Sequence, residues 1–146
     1  LSFKTNWTSK KVTFYVRLCA IYFTQFDGQN MVKIYGIKNC NSMKKAFDAL
    51  AAQGIAYQFH DYKKQGIDAE TLAVWLKDIG AEKILNKKGT TWRKLSAAEQ
   101  TLASSNEQQL IAALMAQPSL IKRPVLQTPH GFVVGFDENS YQNLSA

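Results

Sequence analysis

Cys40 is the residue whose type and position best suit covalent chemistry. It lies between a predicted strand at residues 32–36 and a predicted helix that begins near Ser42, so its sulfur should lie near the positive end of the helix macrodipole. Lys38 supplies a nearby cation and Asn41 a nearby donor, and both favour the nucleophilic thiolate. The alternative is an inert cysteine that fills a buried turn.

No second thiol lies close to Cys40 in the sequence. The fourth position of the motif that Cys40 opens is Met43, so an oxidised Cys40 would need an outside thiol, or Cys19 if that residue reaches it. These two cysteines form neither a metal-ligand pair nor a disulfide ladder. The sequence therefore predicts a reducing, cytoplasmic environment.

The pair Arg123-Pro124 comes just before a predicted strand. Proline at a strand entry removes a ladder donor, and a cis bond placed beside the thiol would explain its presence. Arg123 would then hold an anion against Cys40. The alternative is that Arg123 is one more surface cation beside Lys122.

The two histidines, His60 and His130, are predicted to be structural. His60 lies in a predicted strand and His130 in a predicted turn, and neither is paired with a carboxylate at a metal-binding spacing. Asp61 follows His60 directly, but adjacent strand residues point to opposite faces of a sheet. We therefore expect no metal site and no acid-base dyad.

The predicted elements follow the order βα, βα, a helical block, a β-hairpin and a final helix. Gly54 ends the first helix, Asp68 caps the second, a Ser96–Glu99 capping box opens a third and Asn106 caps a fourth. Strands are predicted at 32–36, 56–62, 125–128 and 132–136, with a loop at 63–66 and a last helix at about 137–144. One parallel pair plus a terminal hairpin predicts an α/β, thioredoxin-like mixed sheet with flanking helices.

Residues 1–30 are predicted to be an N-terminal extension upstream of the native start, because Met31 stands directly before a clean strand pattern. Alternation at 12–23 leaves an extra edge strand open as a possibility.

The formal charge of the chain is +7, with four basic residues and one acidic residue in 1–30, and fourteen basic and ten acidic residues in 31–146. Scattered lysine pairs make nucleic acid an unfavoured partner, and no apolar run is long enough for a membrane span. We expect a monomer.

Several separate segments together resemble the arsenate reductase-related (ArsC/Spx) family, most closely its YffB-like members. They are YGIKNC at 35–40, FHDY at 59–62, LNKKGTTWRKL at 85–95, IKRP at 121–124, and GF at 135–136 ahead of SY at 140–141. The resemblance covers about 31–144 and implies a thioredoxin-like fold with a helical insertion. It defines 31–146 as an ArsC-family domain.

The resemblance also implies how the site works. Arsenate reductases of this family use one cysteine as nucleophile, three arginines that bind the oxyanion, and glutathione with glutaredoxin to finish the cycle. Cys40 and Arg123 match two of these positions, whereas Asn86 and Phe136 stand where the other arginines would be and offer no cationic fork. An arsenate reductase with a degraded oxyanion site is therefore one alternative.

The function favoured by the YffB-like resemblance is a glutathione-dependent thiol reductase with a mixed-disulfide mechanism. No cofactor is expected to be bound; glutathione would be the co-substrate, glutathione or a glutaredoxin-type protein the reductant, and a small thiol or disulfide the substrate. The residues predicted to contact glutathione or substrate, besides Cys40 and Arg123, are Lys38, Asn39, Asn41, Lys88, Thr90, Thr91 and Pro124. The alternative for the two threonines is a structural loop in which Trp92 packs on the core.

A regulatory protein like Spx, which contacts RNA polymerase, is the rival from another class. Redox switching of the Spx type depends on a Cys-x-x-Cys pair, which Met43 breaks in this chain. A redox-controlled regulator is therefore disfavoured, while a partner-binding role without redox control stays open.

Overall fold

The computed structural model of the chain describes residues 31–144. The strand considered at 12–23 and the predicted extension at 1–30 lie outside the described residues. The strands are β1 (Val32–Gly36), β2 (Tyr57–Asp61), β3 (Val125–Thr128) and β4 (Gly131–Val134). The helices are α1 (Asn41–Ala52), α2 (Tyr62–Gln65), α3 (Ala69–Asp78), α4 (Ala81–Ile84), α5 (Thr90–Lys94), α6 (Ala97–Ala103), α7 (Glu107–Ala116) and α8 (Glu138–Gln142), with a 3₁₀ turn at Pro118–Leu120.

The strands form a mixed sheet in the order β2-β1-β3-β4. The central strand β1 runs parallel to β2 and antiparallel to β3, with Tyr35 opposite Val125, and β3 and β4 form a hairpin. Four of the five β1 residues are buried, as expected for an apolar strand covered on both faces. This confirms the prediction of a thioredoxin-like mixed sheet with flanking helices.

Two apolar clusters cover the two faces of the sheet, because side chains alternate along each strand. The cluster on the side of the helices between β2 and β3, here called the insertion core, contains Tyr35, Tyr62, Trp75, Trp92 and Val125. The cluster on the other side, here called the thiol-side core, contains Ile34, Met43, Leu50, Leu126 and Tyr141, with Cys40 packed against it. Helices α1 and α8 supply the thiol-side layer.

Side-chain caps begin the helices where the sequence predicts them. The carboxylate of Asp68 accepts from the Thr71 N–H (2.7 Å), and this bond holds the pKa of Asp68 below its usual value. Ser96 and Glu99 form the predicted capping box, and the Asn106 side chain accepts from Gln109 N–H (2.9 Å). These caps set where the insertion helices start.

Several element limits differ from the prediction. Residues 63–66 were expected to be a loop, but Lys63 N–H donates to the Asp61 carboxylate (2.9 Å) and starts the short helix α2. Strand β4 ends at Val134 instead of continuing to Phe136, because Gly135 has φ +80°, which is incompatible with a strand. The last helix ends at Gln142, two residues before the predicted limit.

Gly36 makes the close contact between β1 and α1 possible. A Cβ atom at this position would overlap the sulfur of Met43, whose side chain is fully buried. Gly36→Ala should therefore lower the free energy of unfolding by about 1–3 kcal/mol, the usual cost of overpacking. Urea unfolding followed by circular dichroism measures this change.

A double-mutant cycle provides the control for this packing contact. Met43→Ala alone should cost about 2–5 kcal/mol through loss of buried side-chain volume. In that background Gly36→Ala should cost much less, since the added methyl group meets empty space. If Gly36→Ala lowered the free energy of unfolding equally in both backgrounds, the need for glycine at position 36 would not come from the contact with Met43.

Candidate functional site

Cys40 occupies the N-cap position of α1 in an extended backbone conformation, with φ −134° and ψ 135°. Its carbonyl accepts the first helical hydrogen bond from Lys44 N–H (3.0 Å), while its side chain makes no capping bond. The first turn of α1 carries no acidic residue that would compete for its free N–H groups. The half-buried free sulfur therefore lies at the positive end of the helix, as predicted.

The Arg123-Pro124 bond is cis, as the sequence analysis anticipated. The pair enters β3 at the end of the sheet where β1 leaves it, because Tyr35 of β1 lies opposite Val125. Cys40 and Arg123-Pro124 thus share one end of the sheet on neighbouring strands.

Backbone hydrogen bonds fix this turn on both sides. Lys122 N–H donates to the Ile84 carbonyl (2.7 Å), and Gly135 N–H donates to the Pro124 carbonyl (2.7 Å). Among residues 31–144, no hydrogen bond involves the N–H or carbonyl of Arg123, whose side chain is half-buried. The backbone of Arg123 is therefore available for another polypeptide segment.

The residues predicted to flank the thiol lie in the turn between β1 and α1. Lys38 and Asn39 are exposed, and Asn41 is the exposed first residue of α1. All three lie within two residues of Cys40, so chain connectivity places their backbones near the sulfur. Their proposed contacts with a ligand stay predictions.

Thr90 and Thr91 begin a helix instead of lying in a loop, while Lys88 lies in the turn before it. Gly89 caps α5, which begins at Thr90, and Trp92 in its first turn is 9% exposed and packs in the insertion core. This confirms the structural placement of Trp92. Lys88 and Thr90 are exposed and Thr91 is half-buried; no bond in the described part of the chain links them to Cys40 or Arg123.

Asn86 is engaged in its own turn. Its N–H donates to the Leu120 carbonyl (2.7 Å), its carbonyl accepts from Gly89 N–H (3.1 Å), and its side chain lies so close over Gly89 that a Cβ there would approach the amide nitrogen to 2.7 Å. The backbone of Asn86 therefore stabilises the turn before α5, and its side chain lies over Gly89.

Phe136 belongs to the apolar surroundings of the thiol. It is half-buried against the thiol-side core, to which Cys40 and Met43 also belong, and its ring centroid lies 5.0 Å from that of Tyr141. The positive φ of Gly135 turns the chain at this point. Phe136 and Tyr141 thus form an aromatic pair in the layer against which Cys40 also packs.

Tyr62 is a site-side residue that the sequence analysis did not single out. It follows β2 at the same end of the sheet, it is 1% exposed, and its hydroxyl has no hydrogen-bond partner within residues 31–144. Burial raises the pKa of Tyr62, and the positive charge of Arg123 partly opposes this effect. Its position in the FHDY segment, one residue past the strand, was the available signal.

His60 behaves as a structural residue. Its Nε2 lies 2.7 Å from the Gly66 carbonyl, and its ring packs against Tyr35 at 5.1 Å. In the region from 31 to 144, no three His, Cys, Asp or Glu side chains are grouped in a way that could hold a metal ion. Over the same residues, no helix is long and apolar enough to cross a membrane.

A half-buried thiol at a helix start, next to a mixed four-stranded sheet, defines a thioredoxin-like protein in which Cys40 is the one cysteine of residues 31–144. The ArsC family model matches residues 35–144, and the chain belongs to the ArsC family.

Individual relatives agree with this assignment. An uncharacterised protein of Haemophilus influenzae is 38% identical over 112 residues, covering 77% of this chain and 96% of its own. The solved structure of a YFFB protein is 44% identical with a TM-score of 0.74, covering 80% of this chain and all of its own. The global transcriptional regulator Spx of Streptococcus agalactiae is 25% identical over 111 residues, covering 75% of this chain and 79% of its own.

Proposed function

We propose that this protein is a glutathione-dependent thiol reductase with Cys40 as its single nucleophile. The observation that carries the proposal is the half-buried Cys40 at the uncapped start of α1, at the same end of the sheet as Arg123. The thiolate is the attacking species in disulfide exchange, and the free first-turn N–H groups of α1 are hydrogen-bond donors at this end of the helix.

The reaction begins when the Cys40 thiolate attacks the glutathione sulfur of a mixed disulfide between glutathione and a small thiol. A bond forms between Cys40 and glutathione, the original S–S bond breaks, and the substrate leaves as a thiolate that takes a proton from water. A second glutathione thiolate then attacks the sulfur of this glutathione, which releases glutathione disulfide and the Cys40 thiolate. Each cycle thus converts one mixed disulfide and one glutathione thiol into one substrate thiol and one glutathione disulfide.

The chain offers groups that suit the co-substrate. Glutathione is an extended peptide with two carboxylates, and the unbonded backbone of Arg123 beside Pro124 can pair with such a segment. The Arg123 guanidinium can bind one carboxylate in a bidentate way. Lys38 and Lys88 are exposed cations available to the other carboxylate. A cytoplasmic location, where glutathione is abundant and thiols stay reduced, completes the proposal.

The proposal is tested by direct turnover. The protein is mixed with the disulfide of glutathione and cysteamine, excess glutathione, glutathione reductase and NADPH, and NADPH consumption is followed. We expect a rate well above that of the mixture without protein. Absence of this excess over a range of small disulfides would contradict the proposed activity.

Arsenate reduction should be weak or absent. Asn86 supports its own turn over Gly89, and Phe136 packs beside Tyr141, so neither adds positive charge near Cys40. Since neither residue joins Arg123 as a second guanidinium, an arsenate dianion would be poorly held. Glutathione- and glutaredoxin-coupled arsenate turnover measures this; turnover comparable to that with the mixed disulfide would overturn the inference.

A regulatory role like that of the Spx relative is the second candidate. The fourth position of the motif that Cys40 opens is Met43, which is fully buried against Gly36, so this position belongs to the core and not to a switch on the surface. A role as a binding protein would therefore operate without an internal disulfide at α1. Tight polymerase binding by a protein with no disulfide turnover would favour this candidate.

A further inference from the structure

The outer edge of β4 has unpaired backbone groups. Within residues 31–144, β4 has a neighbouring strand on one side only. Gly135 N–H donates to the Pro124 carbonyl, and hydrogen-bonded pairs alternate along an antiparallel ladder. The N–H and carbonyl groups of Val134 and Phe132 therefore point away from β3, and no group in the described part of the chain bonds to them.

A cavity of about 790 Å³ follows this edge. All four residues of β4 line it, with Phe132 and Val134 facing the insertion core and Val133 facing the thiol-side core. Residues from both layers complete the walls, including Ser140 of α8. The cavity therefore runs along the strand edge between the two helical layers and is here called the β4 groove.

The charge of this groove comes from its walls and not from the strand. Three exposed lysines line it, Lys77 at the end of α3, Lys83 in α4 and Lys122 ahead of β3, against one carboxylate, Asp78. Natural edge strands are often protected by charges on the strand itself, but β4 consists of Gly, Phe, Val and Val. The β4 edge thus lacks this protection, and the surrounding lysines favour the approach of a negatively charged segment.

We propose that the outer edge of β4, together with Lys77, Lys83 and Lys122, binds an extended acidic segment of a partner protein. The segment adds to the sheet beside β4: its backbone pairs with Phe132 and Val134, and its carboxylates meet the lysines. Strand addition of this kind obtains affinity from main-chain hydrogen bonds and specificity from side-chain pockets and charge.

Charge argues against the other occupants of this groove. Residues 1–30 carry four basic residues and one acidic residue, the same sign as the groove. Pairing of β4 with β4 of a second copy would bring six lysines and two aspartates together, and the whole chain carries +7. An acidic partner is the occupant that the charges favour.

The groove is separate from the thiol chemistry. Strand β4 lies two strands from β1, about 10 Å away at ordinary strand spacing, and neither Cys40 nor Arg123 lines the groove. Cys40→Ser should therefore leave binding in the groove unchanged. Failure of this proposal and failure of the reductase proposal are consequently distinguishable.

Fluorescence anisotropy with a labelled eight-residue peptide of alternating Glu and Val tests the proposal. We expect saturable binding that weakens with salt, slowed amide hydrogen exchange at Phe132 and Val134, and loss of at least about ten-fold in affinity when alternate peptide nitrogens are methylated. The triple variant Lys77→Glu/Lys83→Glu/Lys122→Glu should lose at least about ten-fold as well. The matched control Lys45→Glu/Lys64→Glu/Lys94→Glu changes three exposed lysines outside the groove and should retain more of the affinity.

Several results would overturn the proposal. They are no binding at millimolar peptide, equal binding of the methylated peptide, an equal effect of the two triple variants, and complete displacement by tripolyphosphate without any change in amide exchange at β4. Sedimentation that showed self-association lost in the Lys77→Glu/Lys83→Glu/Lys122→Glu variant would identify a second copy as the occupant and would also contradict the proposal.

Discussion

Cys40→Ser is expected to lower kcat/KM for the glutathione–cysteamine disulfide by at least about a thousand-fold, because a serine hydroxyl does not replace a thiolate in disulfide exchange. The substitution is nearly isosteric at a half-buried position whose side chain makes no capping bond, so the fold should be retained. The NADPH-coupled assay measures turnover, and far-ultraviolet circular dichroism checks the fold.

Mass spectrometry provides a second measurement of the same prediction. Incubation with glutathione disulfide should add one glutathione to Cys40 in the wild type and none to that position in the serine variant. Cys19→Ser is the matched control, since it removes the other cysteine of the chain. Normal turnover by Cys40→Ser, or loss of turnover by Cys19→Ser, would contradict a single-thiol mechanism resolved by glutathione.

Arg123→Ala should lower kcat/KM for glutathione by about ten- to a hundred-fold, which is the usual effect of losing a hydrogen bond between two charged groups. Most of this loss should be a higher KM for glutathione with little change in kcat, since Arg123 is proposed to bind a carboxylate and not to react. Arg123→Lys should recover part of the loss, because a lysine keeps the charge but not the bidentate fork.

Arg93→Ala is the matched control for the arginine substitution. Arg93 is exposed in the last turn of α5 and is the other arginine within residues 31–144. The Arg93→Ala variant should show kcat and KM values close to those of the wild type. Raising the salt concentration should increase the KM of the wild type more than that of Arg123→Ala. Equal losses for both arginines would indicate a general charge effect instead of a specific contact.

The features that the sequence predicted well depend on short-range patterns. The strand at 32–36 and the Ser96–Glu99 capping box are both found where the residues indicate them, because local periodicity and capping decide these elements. The cis bond at Pro124 was also anticipated, since a proline at a strand entry needs an explanation.

The features that the sequence missed depend on tertiary contacts. Helix α5 has five residues and begins with two β-branched threonines, so local propensity does not favour it; the burial of Trp92 stabilises it. Tyr62 looked like the end of a strand, and its burial beside the charge of Arg123 depends on pairing between distant segments. The lysines of the β4 groove are likewise separated by up to 45 positions, from Lys77 to Lys122.

The division of the sheet into two cores has an optical consequence. Trp75 and Trp92 both lie in the insertion core, and Trp75 packs edge-on against Tyr35 at 4.8 Å, whereas the thiol-side core contains no tryptophan among the described residues. In a Trp7→Phe background, indole emission therefore reports on one layer of the protein alone. Glutathionylation of Cys40 should therefore leave this emission unchanged. A change of emission on addition of glutathione disulfide would show that a structural change at Cys40 reaches the opposite face of the sheet.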